Sequence, residues 1–326
     1  MVKVLLTVQE LIADDRHDVV TTVRSKAKGD KILEAYSNTL KEKLSYVIVE
    51  DVAQDGAFDQ AVRTDPPCEC VIHTASPFHF KVKDPVKDIL DPAVKGTSGI
   101  LKSIKAYAPT VKRVVVTSSF SAMFGLNAHP KVYDETSWNP VTWEGAVKNP
   151  RLTYHGSKTF AEKAAWDFVE KEKPNFDVVT INPPLVFGPV THYVSSLDGL
   201  NTSNERVRDI IQGNFLDKAL PHTGIYLWAD VRDVALAHIR AIEVPEAGGN
   251  RFLVTAGHFS NKIVVDMIRE SHPELSSKLP ENPTDDIPAD IYGYDSSKAS
   301  RILGITFRSL KDSIGDTVTS LVKLGA

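Results

Sequence analysis

Near its centre the chain carries the run Arg113-Val114-Val115-Val116-Thr117-Ser118-Ser119. A succession of β-branched residues bounded by polar ones is typical of a buried strand in a parallel sheet. About 35 residues later the chain reads Thr153-Tyr154-His155-Gly156-Ser157-Lys158, which opens a helical pattern over 154–171. A strand followed by a helix of this length is the building unit of α/β folds.

The same alternation runs through the first 185 residues. Short runs rich in Val and Ile predict buried strands, and longer amphipathic segments predict helices. The predicted strands are Lys3–Thr7, Val19–Val23, Tyr46–Val49, Cys70–Thr74, Arg113–Thr117 and Val178–Asn182, and the helices are Asp84–Tyr107 and Tyr154–Lys171. Strand–helix–strand units of this kind predict a doubly wound parallel sheet, a Rossmann-type α/β fold.

The pattern loosens after Asn182-Pro183-Pro184. The segment 190–225 is polar and rich in loops, Trp228–Ile242 predicts a turn into a helix, and Arg251–Thr255 predicts a further strand. We therefore predict a Rossmann domain over residues 1–189 and 226–258. A smaller C-terminal substrate lobe is predicted from 190–225 and 259–326.

Composition excludes several functional classes. The chain has 326 residues, 42% of them hydrophobic and 25% charged, which is ordinary for a globular protein. Its net charge of -4 gives no reason to expect a nucleic-acid or anionic membrane partner. No apolar run approaches the ~18 residues of a membrane span, and no signal peptide is evident, so we expect a cytoplasmic protein. The cysteines, Cys68 and Cys70, have no neighbouring His, so no metal site is expected.

Tyr154 and Lys158 carry the chemistry that the sequence predicts. Four residues make about one helical turn, so both side chains project from the same face of the helix. A nearby ammonium should lower the pKa of the phenol from roughly 10 towards neutrality. Such a phenol can donate a proton to a carbonyl oxygen as hydride reaches the carbon. The pair on its own is common, and a solvent-exposed pair on a helix is the alternative interpretation.

The expected dinucleotide-binding turn is missing. A Rossmann domain normally holds a pyrophosphate on a glycine-rich turn after its first strand, where the next helix supplies N–H donors. Here no glycine precedes Gly29, and only the 11 residues Val8 to Asp18 separate the first two predicted strands. A crossover needs about a dozen residues or more, so this connection is barely long enough.

Six segments spread over most of the chain carry a family resemblance. The sequence resembles the extended short-chain dehydrogenase/reductases, in the dihydroflavonol reductase-like branch that includes fungal aldehyde, methylglyoxal and ketone reductases and plant cinnamoyl-CoA reductases. The segments are Thr21-Thr22-Val23-Arg24, His73-Thr74-Ala75-Ser76-Pro77-Phe78, Val116-Thr117-Ser118-Ser119, Tyr154-His155-Gly156-Ser157-Lys158, Asn182-Pro183-Pro184-Leu185-Val186-Phe187-Gly188-Pro189 and Asp230-Val231-Arg232-Asp233-Val234-Ala235.

The resemblance implies an NADPH-dependent oxidoreductase that reduces an aldehyde or ketone. It implies that Tyr154 protonates the developing alkoxide and that Lys158 tunes the phenol and binds the nicotinamide ribose. Ser119 would donate to the carbonyl oxygen, with Ser118 as the less favoured substitute.

The remaining cofactor contacts follow from position and chemistry. Arg24 and Lys28, at the end of the second predicted strand, offer positive charge for a 2′-phosphate, which favours NADPH over NADH. Solvated loop residues are the alternative. The resemblance adds the residues Asp51, Val52, Thr74, Ala75, Ser76, Thr117, Ser118, Pro183 and Val186 to the cofactor site, together with Tyr154 and Lys158.

The relatives carry a stretch of the type Gly-x-x-Gly-Phe-Ile-Ala straight after Leu-Leu-Thr. Gln9-Glu10-Leu11-Ile12 resembles the later part of their first helix. We therefore expect one omission of about nine residues between Thr7 and Val8, as an omitted short exon would produce. A cofactor-impaired relative or an engineered deletion is the alternative.

Other functional interpretations remain open. They are a non-catalytic Rossmann protein, and a sterol dehydrogenase or nucleotide-sugar epimerase on the same fold.

Asp230 and Asp233 around Arg232 predict an ion-pair run, and His73 and His155 are expected to be structural. Either a monomer or a homodimer is compatible with the sequence. The aromatic residues that could wall a pocket or belong to the core are Phe78, Phe120, Tyr193 and Trp228.

Overall fold

The computed structural model describes residues 10–11, 17–36, 43–76, 82–126, 128–190 and 196–326. The strand predicted over Lys3–Thr7 and the junction after Thr7 lie outside these residues, as do Phe78 and Tyr193. Glu10 and Leu11 are helical, as expected for the end of a first helix.

Two parallel sheets form the first part of the fold. Their strands are β1 Val19–Val23, β2 Leu44–Ile48, β3 Cys70–His73, β4 Arg113–Thr117, β6 Asp177–Asn182 and β9 Arg251–Leu253. The central sheet has the strand order β3-β4-β6-β9, and the second sheet pairs β1 with β2. Val116 pairs with His73 on one side and with Thr180 on the other, so the carboxyl ends of these strands meet at one edge of the central sheet. The predicted Rossmann-type α/β fold is confirmed.

Helices cover both faces of the central sheet. Val115 packs into one buried cluster, whereas its neighbours Val114 and Val116 pack into another, as the alternation of side chains along a strand requires. The helices are α1 Lys26–Ala35, α2 Asp91–Tyr107, α3 Trp143–Lys148, α4 Pro150–Glu172, α5 Thr202–Ile211, α6 Val231–Glu243, α7 Asn261–Ser271, α8 Ser297–Leu303 and α9 Leu310–Lys323.

The helix predicted over about Asp84–Tyr107 is confirmed, and a π-helical turn over Val86–Leu90 leads directly into α2. The other predicted helix start was wrong. The helix expected from Tyr154 begins at Pro150, where the Asn149 side chain accepts a hydrogen bond from the backbone N–H of Arg151. Proline is favoured in the first turn and asparagine at the N-cap, so both local signals support the earlier start. Tyr154 therefore lies inside a formed helix.

The C-terminal half adds short strands and a separate buried cluster. Strands β7 Leu185–Phe187, β8 Leu227–Asp230 and β10 Gly257–His258 form one sheet, and β5 Val132–Tyr133 pairs with β11 Gly293–Tyr294. The cluster joins Phe187 with residues of α5, α7 and α9, among them Val207, Ile268 and Ile314. This packing supports the proposed C-terminal lobe. No helix in the described part of the chain is long and apolar enough to cross a bilayer.

An ion pair ties together the amino ends of β4 and β6. Arg113 donates from Nε and Nη2 to the two carboxylate oxygens of Asp177 at 2.7 and 2.8 Å. Its Nη1 donates to the carbonyl oxygens of Ala241 and Val244 at 3.0 and 2.5 Å, and Nη2 also donates to that of Pro245 at 2.9 Å. One largely buried guanidinium thus links two strands to the end of α6.

We expect Arg113→Met to lower the free energy of unfolding by about 2 kcal/mol or more, because it leaves a carboxylate and three carbonyl groups without their donor. Lys105→Met is the matched control, since Lys105 pairs with Glu172 at 2.6 Å in an exposed position and should lose about 0–1 kcal/mol. Urea denaturation compares the two variants. Equal losses would contradict a structural role for Arg113.

Candidate active site

The carboxyl end of β4 delivers Ser118 and Ser119 to the edge of the sheet. Directly after them the chain forms a short 3₁₀ turn, Phe120–Ala122, and the Ser119 Oγ accepts a hydrogen bond from the N–H of Ser121 at 3.1 Å. This cap fixes the backbone immediately beyond the strand, so Ser119 is held on a defined turn.

Helix α4 brings Tyr154 and Lys158 to the same place. The side chain of Ser119 lies beside the Tyr154 phenol and acts to lower its pKa, and Lys158 Nζ lies 6.0 Å from the centroid of the Tyr154 ring. Gly156 allows the helix to approach α3, since a methyl group there would lie 2.5 Å from the Cβ of Ala146. The three residues predicted as a catalytic set therefore lie together.

The pKa of Tyr154 differs from the expected direction. Burial raises the pKa of the phenol, and the Ser119 side chain opposes this only in part. Burial also lowers the pKa of Lys158 to about 8. The expectation that the Lys158 ammonium would pull the phenol towards neutrality was wrong for this structure, because the loss of hydration by the buried phenolate is the largest influence on the Tyr154 pKa.

A cavity opens at the carboxyl ends of β3 and β4, beside Lys158. Burial, together with the charge of Lys158, lowers the pKa of His73 to about 4, so this imidazole is neutral at pH 7. Among the described residues, its Nε2 has no hydrogen-bond partner. The residues that line the cavity are His73, Ala75, Ser76, Thr97, Val116, Thr117, Ser118, Lys158, Ala161 and Glu162.

The cavity brings together five of the predicted cofactor residues: Ala75, Ser76, Thr117, Ser118 and Lys158. Two of these residues, Thr117 and Ser118, have hydroxyl groups that already bond other side chains. The Thr117 Oγ1 lies 2.6 Å from His238 Nε2, and the His238 Nδ1 lies 2.7 Å from the Val234 carbonyl oxygen. Because that carbonyl can only accept, Nδ1 donates to it and Nε2 accepts from Thr117.

Glu162 is the site residue that the sequence interpretation missed. Its carboxylate is fully buried and accepts hydrogen bonds from Ser118 Oγ, from Asn182 Nδ2 at 2.7 Å and from Arg251 Nε at 2.6 Å. A signal was available, because Glu162 follows Lys158 by four residues and therefore occupies the next turn on the same helix face.

The predicted 2′-phosphate residues lie elsewhere, at the end of β1 and the start of α1. Arg24 and Lys28 are exposed there, and within the described part of the chain the side chain of Ser25 makes no capping hydrogen bond at the N-terminus of α1. The Asp51 carboxylate accepts from the N–H of Ala53 at 2.9 Å, and Val52 packs against the buried cluster around α2. None of these residues lines the cavity.

Hydrogen bonds fix the backbone at Pro183 and Val186, two of the predicted cofactor residues, in the stretch that would wall the nicotinamide. The Pro183 carbonyl oxygen accepts from the N–H of Phe120 at 2.9 Å. Val186 is buried, its N–H donates to Ser203 Oγ at 3.1 Å, and its carbonyl oxygen accepts from Asn201 Nδ2 at 2.9 Å. Side chains from the start of α5 thus satisfy the backbone of this wall. Thr74 is half-buried, directly after β3.

The ion-pair prediction for the Asp230–Asp233 run is confirmed, although both carboxylates are buried rather than exposed. Asp230 pairs with Arg232 at 2.8 Å, and Asp233 pairs with Arg308.

The aromatic residues Phe120 and Trp228 are also buried and belong to the core. The ring of His155 stacks on that of Phe124, with centroids 5.8 Å apart.

Comparisons with known proteins agree with this geometry. The chain matches the model of the NAD dependent epimerase/dehydratase family over residues 6–256. It is 53% identical to the ketoreductase azaE of Aspergillus niger, over 96% of this chain and 92% of that protein. It is 37% identical to the NADPH-dependent methylglyoxal reductase GRE2 of Saccharomyces cerevisiae, over 96% and 94%.

Solved structures give the same result. The complex of Candida albicans Gre2 with NADPH matches with a TM-score of 0.92 and 37% identity, over 100% of this chain and 97% of that one. Yeast methylglyoxal/isovaleraldehyde reductase Gre2 with NADPH matches with a TM-score of 0.90 and 35% identity, over 99% and 96%. The chain belongs to the NAD dependent epimerase/dehydratase family.

Proposed function

We propose that this protein is an NADPH-dependent oxidoreductase that reduces an aldehyde or ketone to an alcohol. The position of Ser119 beside the Tyr154 phenol, with Lys158 one helical turn away, carries the proposal. The similarity to ketoreductase azaE and to the NADPH-dependent methylglyoxal reductases supports it.

The residues around the cavity fit the nicotinamide half of the cofactor. The Nε2 of buried His73, which has no partner among the described residues, leaves one polar atom to be satisfied there, and Ser76 and Lys158 offer further hydrogen bonds. Arg24 and Lys28 offer two cations beside the N-terminus of α1 for a 2′-phosphate. When bound, NADPH supplies a hydride to the carbonyl carbon.

The chain itself handles the proton. Because burial raises the pKa of Tyr154, the phenol keeps its proton at neutral pH and can donate it to the carbonyl oxygen. Ser119 donates a hydrogen bond to the same oxygen and orients it, and such a fixed donor contributes on the order of 3 kcal/mol. The Lys158 ammonium, with a pKa of about 8, stabilises negative charge beside the phenol.

The other interpretations find less support. An NAD-bound epimerase would place a carboxylate at the end of β1, where this chain has Arg24. A non-catalytic Rossmann protein would have no use for the assembled Ser119, Tyr154 and Lys158, although the absence of glycine before Gly29 favours it. We further propose a cytoplasmic protein, monomeric or homodimeric, whose partners are small carbonyl compounds.

Tyr154→Phe should lower kcat for methylglyoxal by about 10²–10⁴, because it removes the proton donor, while the Kd for NADPH changes little. The matched control is Tyr107→Phe, since Tyr107 is exposed at the end of α2 and should retain full turnover. Steady-state kinetics, together with NADPH titration calorimetry, measure both. Retained turnover in Tyr154→Phe would rule out the phenol as the acid.

Insertion of a Gly-x-x-Gly-Phe-Ile-Ala turn between Thr7 and Val8 should tighten NADPH binding by about 10²–10⁴. Two charge-assisted N–H bonds to a pyrophosphate, at about 1.5–3 kcal/mol each, account for this gain. Calorimetry on the chain with and without the turn measures it. An insert of the same length with its glycines replaced by alanine is the control, and equal affinity for all three proteins would contradict the expected omission.

Arg24→Ala should weaken NADPH binding by about 10-fold or more and leave NADH binding unchanged, because it removes a cation from the 2′-phosphate. Lys26→Ala is the control, since its ammonium is already paired with Asp30 at 2.7 Å. Titration of each variant with both cofactors tests this. An equal loss of affinity for NADH would show that Arg24 does not bind the 2′-phosphate of NADPH.

A further inference from the structure

The Glu162 carboxylate is buried, and the loss of hydration there destabilises a charged group. Glu162 is about 1% exposed, and its side chain is wholly buried. Donors converge on both of its oxygens: Oε1 accepts from Arg251 Nε at 2.6 Å and from Thr180 Oγ1 at 3.1 Å, while Oε2 accepts from Asn182 Nδ2 at 2.7 Å and from Ser118 Oγ. A set of donors this complete is what a buried carboxylate requires.

The partners of Glu162 come from three strands of the central sheet. Ser118 directly follows β4, Asn182 ends β6 and Arg251 begins β9. Tyr154, Lys158 and Glu162 follow one another at intervals of four residues along α4 and so lie in one row on its surface. The carboxylate therefore fixes the helix that carries the phenol against the strand ends that carry the serines.

The same contacts decide which serine is available. The Ser118 hydroxyl donates to Glu162, so it is not free to serve a substrate. Asn182 Nδ2 bonds both Glu162 and the carbonyl oxygen of Ser119, the latter at 3.2 Å. The neighbouring backbone is held as well, since the N–H of Ser118 donates to the Ile181 carbonyl oxygen at 2.9 Å. The side chain of Ser119 does not contact Glu162 in this network and instead influences the Tyr154 phenol, whose pKa it acts to lower.

We propose that Glu162 is a positioning residue that engages Ser118 and thereby presents Ser119 to Tyr154 and to the reacting oxygen. This inference rests on the proposed carbonyl reduction. A buried ion pair adds little net stability compared with well-packed apolar residues, so its presence under the two serines is better explained by placement than by stability.

Glu162→Gln keeps the shape of the side chain but changes its chemistry. One of its two terminal atoms becomes an NH₂ group, which must face either Arg251 or Asn182, and both of these present N–H donors. We expect the loop that carries Ser118 and Ser119 to shift and Ser119 to move away from the Tyr154 phenol.

Titration of Tyr154 tests this without turnover or cofactor. With ¹³C-labelled tyrosine, the Tyr154 signal is assigned by its loss in Tyr154→Phe and is followed through alkaline pH. Glu162→Gln and Ser119→Ala should both move its midpoint upwards, because each takes away the Ser119 hydroxyl that favours the phenolate. In the double variant the two shifts should not add, since both report the loss of the same hydroxyl.

The other ionisable groups near the phenol are common to all of these proteins. Lys158, with a pKa of about 8, loses its charge before the phenol titrates, while burial lowers the pKa values of His73 and His155, so both are neutral throughout the alkaline range. An unshifted midpoint in folded Glu162→Gln would overturn the proposal, and additive shifts in the double variant would do so as well.

Kinetics separate positioning from stability. Glu162→Gln should lower kcat about 10-fold with little change in KM, because it displaces a group that acts on the reacting oxygen. Asp177→Asn alters the other Arg–carboxylate pair, at the opposite end of the sheet, and should cost stability without lowering kcat. An equal fall in kcat for both variants would reduce Glu162 to a structural residue.

Ser118→Ala provides the test if Glu162→Gln does not fold. It removes only the hydroxyl that Glu162 engages, and it should also raise the Tyr154 midpoint and lower kcat; no change in either would overturn the proposal. A different result would show that the proposed carbonyl reduction is wrong while the role of Glu162 is right. In that result Tyr154→Phe keeps its turnover, and Glu162→Gln still shifts the titration midpoint of the Tyr154 phenol.

Discussion

The site depends on how α4 packs across the carboxyl ends of β4 and β6. Small buried residues on the helix, Gly156 and Ala165 among them, allow close approach to its neighbours. Glu162 then fixes the position of the helix along the strands through its bonds to Asn182 and Arg251. A helix that carries both Tyr154 and Lys158 is thereby held in one register relative to Ser119.

Two Arg–carboxylate pairs hold opposite ends of the same sheet, and they differ in kind. Arg113 and Asp177 join the amino ends of β4 and β6, where the Asp177 side chain is 39% exposed and three backbone carbonyls share the guanidinium. Glu162 lies at the carboxyl ends of β4 and β6, where its carboxylate is buried and bonds side chains of the site, and its partner Arg251 begins β9. The first pair joins the strands to the end of α6, whereas the second pair positions the residues around the cavity.

How far the sequence predicted this structure depended on the range of the interactions. The Val-rich strand Arg113–Thr117 was predicted to the residue, because β-branched patterning is local. The start of α4 was placed too late, although Asn149 and Pro150 carry clear local signals. Glu162 shares a helix face with Lys158, but its role depends on burial and on partners such as Arg251, 89 residues away in the chain, which the local pattern does not show. The predicted lowering of the Tyr154 pKa was wrong for a similar reason, since the burial that raises this pKa is a property of the tertiary structure.

The raised pKa of Tyr154 bears on the direction of the chemistry. Reduction of a carbonyl needs an acid that still holds its proton at neutral pH, and burial ensures this for the phenol. Oxidation of an alcohol would need the phenolate, which a raised pKa makes scarce. Lys158, with a pKa of about 8, remains mostly charged at pH 7 and can stabilise the phenolate once the proton has left. The electrostatics of the site thus favour carbonyl reduction near neutral pH.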